Sequence, residues 1–224
     1  MSRTEVAHRL SLLFDDRSLR GYVYWKVRTD PAYTAVLDQL RGRDPHPLLD
    51  LGCGVGVLAL FLREHGLTAP VIGVDHDERK IEAARRAAAA YRDVEFIRGD
   101  ARHPLPAAHD VVLLDILQYF APSDQQRILE NVARAVPPGG MVIVRQAIGD
   151  DSWRHRVTRG VDALGRASRW MRAEKLQYPT RDALVAPFAS GFETEVTPLW
   201  GRTPFNTYLF IFRRRSAAAL PPLS

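Results

Sequence analysis

LLDLGCGVGVLAL, residues 48–60, decides the fold. An apolar run closes on Asp50, and Gly52, Gly54 and Gly56 alternate with other residues before a second apolar run begins. A strand that turns through glycines into a helix brings backbone close to a ligand. The dinucleotide pattern requires G-x-G-x-x-G, but Val57 stands where its third glycine belongs. The P-loop pattern also fails, because no Lys-Ser/Thr pair follows. What remains is D-x-G-x-G-x-G. Taken alone, such a turn is equally a device for tight packing.

Outward from this turn, strands and helices alternate. HPLLDLG reads as a buried strand and VGVLALFLREHG as a helix stopping at Gly66. APVIGVD is a second strand, and DERKIEAARRAAAAY is helical by propensity. VEFIRGD and HDVVLLDIL are the third and fourth strands. PSDQQRILENVARAV is a helix opened by Ser123, and MVIVRQA is a fifth strand after the turn PPGG. Apolar strands alternating with helices predict an α/β fold whose parallel sheet is covered on both faces. Upstream, residues 5–28 read as one helical stretch with Val6, Leu10, Leu13 and Phe14 on a stripe. Asp30 and Pro31 then open another helix. Downstream, Thr180 caps a short helix, and FETEVTPLW and NTYLFIFRR are closing strands joined by GRTPF. The expected organisation is an N-terminal helical lid segment (1–44), a main domain (45–215) with a basic helical cap (151–178), and a loose tail (216–224).

Composition narrows the class. The chain has 224 residues, 46% hydrophobic and 25% charged, as a soluble globular protein would. Its single cysteine, Cys53, excludes an intrachain disulfide and disfavours a cysteine-based zinc site, so no metal is expected. No apolar run approaches the roughly 18 residues of a membrane span. MSRTEVAHRLSLLF reads poorly as a signal peptide, so a cytoplasmic location is the expectation. Residues 151–181 hold eight basic and three acidic side chains, an excess equal to the net charge of +5. That face is either solvated or steers an anionic partner.

With these motifs in order, the chain resembles the class I S-adenosylmethionine-dependent methyltransferases. The resemblance covers about residues 45–146 strongly and the closing strands weakly. It implies a Rossmann-like, doubly wound seven-stranded sheet, mostly parallel with the last strand antiparallel. It implies S-adenosyl-L-methionine as cofactor. Asp50, Gly52, Cys53, Gly54 and Gly56 would pass its methionine part, and Asp75, followed by His76, would hold the ribose hydroxyls. Asp100 and the Ala101 backbone would meet the adenine, and Asp115 and Ile116 would lie near the methionine end. Asp75 or Asp100, taken alone, reads mostly as a structural residue such as a helix cap.

The acceptor is less legible. The Asn/Asp-Pro-Pro-Tyr/Phe box of amine-methylating members is absent, and DILQ stands there instead. Candidate bases at the strand ends are Asp115, Tyr119, His103 and His155. An acceptor pocket is expected from Tyr22, Tyr24, Trp25, Lys26, Tyr119, Trp153, Trp200, Arg202, Phe205 and Asn206, with Lys26 or Arg28 free to pair with the cofactor carboxylate. The aromatics of the N-terminal segment are equally a means of packing it onto the core. RGYVYWKVRTDPAY and TPFNTYLFIFRR also resemble small bacterial methyltransferases of aryl-polyene pigment clusters. That implies a small aromatic or polyene acceptor, with an acidic acyl carrier protein as a candidate partner for the basic face. An RNA methyltransferase and a non-catalytic binding protein are the competing readings.

Overall fold

The computed structural model describes residues 2–150, 153–154, 176–200 and 206–216. The chain runs α1 (Arg3–Ser11), α2 (Arg17–Thr29), α3 (Pro31–Leu40), β1 (Leu48–Leu51), α4 (Val57–Glu64), β2 (Val71–Asp75), α5 (Glu78–Ala87) and β3 (Val94–Arg98). It continues with β4 (Asp110–Leu114), a 3-10 turn (Leu117–Tyr119), α6 (Pro122–Ala135), β5 (Met141–Ala147), α7 (Arg181–Val185), β6 (Phe192–Pro198) and β7 (Thr207–Arg214). The seven strands form one sheet in the order β3-β2-β1-β4-β5-β7-β6. β1 to β5 pair in parallel, and β7 runs antiparallel between β5 and β6. The doubly wound architecture expected from the sequence is therefore present.

The pleat explains the three layers, because successive strand residues point to opposite faces. Leu48, Val112, Met141, Ile143, Leu209 and Ile211 join the core under α1 to α5. Leu49, Leu51, Val111, Leu113, Val142, Val144, Phe210 and Phe212 join the core under α6 and α7. The N-terminal helices belong to the first core outright: Val6, Leu10, Val23, Val27 and Val36 are fully buried. Burying a side chain of that size is worth about 1.5–3 kcal/mol.

Two element boundaries differ from the sequence reading. The stretch 5–28 is two helices, because the Asp16 carboxylate accepts from Leu19 N–H and starts a new one. Helix α6 begins at Pro122 with Ala121 before it, not at Ser123; the fixed φ and missing N–H of proline suit the first helical position. The expected caps Asp30 and Thr180 both accept the backbone N–H that their role requires. Most of the expected basic cap, the GRTPF turn and the tail lie outside the described residues.

Candidate functional site

The chain reverses its sheet order between β1 and β4, whose carboxyl ends therefore flank a crevice. The glycine turn leaves β1 at that point. Gly52 and Cys53 N–H donate to the Val74 carbonyl at 2.7 and 3.0 Å, tying the turn to β2. Gly52, Gly54 and Gly56 all have positive φ (82°, 57° and 78°), open to glycine without strain. Their surroundings differ. A Cβ on Gly52 would lie 2.2 Å from Ile116, and one on Gly56 would lie 2.3 Å from Phe96. A Cβ on Gly54 would meet nothing within 4 Å. Two glycines thus admit neighbouring side chains, and the middle one faces open space.

Asp75 and Asp50 adjoin this turn, and Asp100 follows the next strand, β3. Asp75, ending β2, accepts from Gly54 N–H at 3.0 Å and Asp77 N–H at 2.9 Å. His76 Nδ1 lies 3.4 Å from it, although the imidazole is mostly exposed. Asp50 lies buried beneath, and its Oδ2 has no hydrogen-bond partner among the described residues. Burial, with the negative charge of Asp75, pushes Asp50 up to about 7. Asp100, beyond β3, is clamped by the Arg102 side chain and backbone N–H, which hold it down at about 2. An adenine amine would share that carboxylate with Arg102. Ala101 is buried beside it. The Cys53 thiol is driven upward by burial, which suits a loop filler and not a nucleophile.

Beyond β4 the chain is held by groups that the sequence did not disclose. Buried Gln146 donates to Gln118 and accepts from Leu117 N–H at 3.3 Å. Gln125 donates to the carbonyls of Leu117, Phe120 and Gln177 at 2.9, 3.0 and 2.7 Å. These amides fix the turn that carries Ile116 and Tyr119. Arg145, on the same face of β5 as Met141 and Ile143, meets Asp115 and lies 3.4 Å from Asp30. Asp30 in turn holds Lys26 at 2.6 Å, so Lys26 is committed to a carboxylate of its own chain.

The expected acceptor residues divide. Tyr22 and Lys26 share one face of α2, whereas Trp25 points outward at 57% exposure with Arg28 over its ring. Tyr24 packs against the core. The structure brings Trp153 and Trp200 together through Arg154, whose guanidinium carbon lies 4.8 and 4.3 Å from their ring centroids. Tyr119 is 45% exposed at the same edge. Asn206 does not line a pocket: it is 1% exposed, and its amide donates to the Ile148 carbonyl at 3.0 Å, joining the exit of β5 to the start of β7. His103 sits in the loop after Asp100. His155, Arg202 and Phe205 lie outside the described residues.

Comparison with known proteins gives the same frame. Residues 48–140 match a family model described as a methyltransferase domain. Carboxy-S-adenosyl-L-methionine synthase of Shewanella pealeana is 28% identical over 153 residues, covering 63% of each chain. The match thus spans about three fifths of the length of the curated relatives. Human N-acetylserotonin methyltransferase, solved in complex with its SAM cofactor, superposes with a TM-score of 0.65 at 18% identity, over 96% of this chain and 57% of that one. Magnesium protoporphyrin IX methyltransferase of Synechocystis, with bound SAH, gives 0.63 at 19% identity, over 86% and 87%. These likenesses establish the fold.

Proposed function

We propose, from the premise that this chain belongs to the class I S-adenosylmethionine-dependent methyltransferases, that it binds S-adenosyl-L-methionine and transfers the methyl group to a small, planar, largely apolar acceptor. The observation that carries the cofactor half is Gly54, which faces open space while its N–H is held by Asp75. A ligand can therefore approach the backbone at Gly54, where a side chain would stand in its way. Asp50 supports the same reading, since an orphaned buried carboxylate oxygen suits a cationic ligand group. Asp75 and Asp100, at the ends of adjacent strands, would take the ribose and adenine, with Ala101 and Ile116 as apolar walls and His76 at the rim.

The cofactor supplies an already activated methyl. The chain must align the acceptor and exclude water, and alignment is worth about 7–11 kcal/mol in favourable cases. Tyr119, Trp153 and Trp200 follow β4, β5 and β6, so they would supply an aromatic rim at the carboxyl edge that fits a flat acceptor, with Tyr22 as a further candidate. An aromatic or polyene acceptor fits it, whether free or held by an acidic carrier protein. Calorimetry with S-adenosylhomocysteine tests the cofactor half, and absence of binding overturns it. Incubation of cell extract with the chain and methyl-labelled cofactor tests the acceptor. Label in the organic-extractable fraction is expected, and label confined to RNA or protein overturns that half.

A second reading is favoured by the curated relatives, which are named carboxy-S-adenosyl-L-methionine synthases. On that reading the chain alters the cofactor itself. Mass spectrometry of the cofactor after incubation with extract separates the two, because a carboxylated nucleoside appears only in the second case.

A further inference from the structure

Lys26, Asp30, Arg145 and Asp115 form a chain of alternating charge beside the crevice. Lys26 Nζ lies 2.6 Å from Asp30, Asp30 lies 3.4 Å from Arg145, and Arg145 Nη1 also contacts Asp115. Asp30 is almost wholly buried, whereas the Asp115 side chain keeps 24% exposure. Asp115 is thus the carboxylate of the set that reaches solvent. It also has φ +56°, rare for a residue with a Cβ. Its N–H donates to the Arg145 carbonyl at 2.9 Å, so β5 holds both its backbone and its side chain. A costly conformation kept at a strand end beside a crevice points to a function for the side chain it aims.

We propose that Asp115 takes the proton of the acceptor during methyl transfer, and that Arg145 is the residue positioning its carboxylate; this rests on the methyl-transfer reading above. In the step, the O–H or N–H bond of the acceptor breaks and Asp115 receives the proton on a carboxylate oxygen. The lone pair so freed forms the bond to the methyl carbon, and the electrons of the broken C–S bond stay on sulfur. The negative charge of Asp115 and the positive charge of the donor disappear together, so the crevice loses a charge pair and gains no isolated charge. Arg145 orients Asp115 but divides its guanidinium with Asp30, which limits how firmly it holds the carboxylate in its charged form. Burial works in the other direction and raises Asp115 above the ordinary carboxylate range. Arg145 on β5, Lys26 on α2 and Asp30 between α2 and α3 are the charged groups facing it, with Tyr22 and Tyr33 acting on that set.

The test uses the whole chain with its Asp115→Asn and Arg145→Lys variants. S-adenosylhomocysteine binding is measured by calorimetry, label transfer into the extract's small-molecule fraction from pH 5 to 9, and the Asp115 carboxyl by 13C NMR with S-adenosylhomocysteine bound. Asp115→Asn, at the expected methionine end of the cofactor, is expected to transfer about a hundredfold more slowly and to lose far less than that in binding. The acid limb of transfer and the 13C titration should coincide, and Arg145→Lys should move both to higher pH. Undiminished transfer by Asp115→Asn, loss of binding in proportion to transfer, or a limb indifferent to Arg145 each overturns the proposal. So does binding without any transfer by the unaltered chain. Absence of binding there instead brings down the underlying cofactor reading. If Asp115→Asn fails to fold, Asp115→Glu takes its place, with binding kept, transfer slowed and the limb shifted as the expected result.

Discussion

Gly54 and Asp75, 21 positions apart in sequence, are joined by one hydrogen bond of 3.0 Å from the Gly54 N–H to the Asp75 carboxylate. The bond closes the glycine turn onto the end of β2, and it uses the carboxylate expected to meet a ribose. Asp75→Ala should therefore act twice. A charge-assisted bond contributes about 1.5–3 kcal/mol, so the free protein should melt several degrees lower. S-adenosylhomocysteine should raise the melting temperature of the unaltered chain and leave that of the variant nearly unmoved. Differential scanning calorimetry with and without the ligand reads both effects.

The three glycines should separate by function. Gly54→Ala adds a Cβ in open space at φ +57°, so folding should cost only the left-handed strain of about 1–2 kcal/mol. On the proposed binding mode, ligand binding should fail, because that Cβ would stand where the cofactor is expected to pass. Gly56→Ala meets the same strain and also a buried Phe96 ring at 2.3 Å, so overpacking adds about 1–3 kcal/mol. Chemical denaturation should rank Gly56→Ala clearly below Gly54→Ala. Equal stability of the two would refute the assignment.

Asp50 gives a pH signature. Its folded value of about 7 lies above the ordinary 3.8, so between these limits the native state binds the extra proton. Stability contributed by that proton is full below about pH 4 and is lost as pH rises through about 7, at about 1.4 kcal/mol per unit of displacement. Asp50→Asn cannot titrate. Its stability relative to the unaltered chain should therefore increase from pH 4 to pH 7.5 in urea denaturation. A constant difference would show that Asp50 is charged throughout.

The glutamine cluster should behave as one unit. Gln146→Leu removes the acceptor of Leu117 N–H and leaves Gln118 without its donor. Each buried orphan costs about 1–3 kcal/mol. Adding Gln118→Met should cost little more, because its partner is already gone. Denaturation of the single and double variants measures that coupling.

Much of this molecule was legible in one dimension. The alternation of apolar strands with helices, the caps Asp30 and Thr180 and the stop at Gly66 are local matters, settled by φ preferences and side-chain hydrogen bonds within a few residues. The D-x-G-x-G-x-G turn is local as well. Asp75 and Asp115 were visible because each ends an apolar run, which places it at the carboxyl edge of a parallel sheet, whereas Asp100 was picked out by the family resemblance.

What the sequence could not disclose was pairing between distant elements. Arg145 reads as the polar end of a strand. It becomes part of the crevice because its parity with Met141 and Ile143 turns it towards Asp30, 115 positions away. Asn206 read as a pocket residue and is instead buried against Ile148. Lys26, read with Arg28 as a candidate partner of the cofactor carboxylate, is paired with Asp30. The sequence by itself determined the strands, most of the helices and the place of the glycine turn, because those follow from local conformational preference. Only the tertiary structure decided which charges are spent on one another, because that depends on which faces the sheet order brings together.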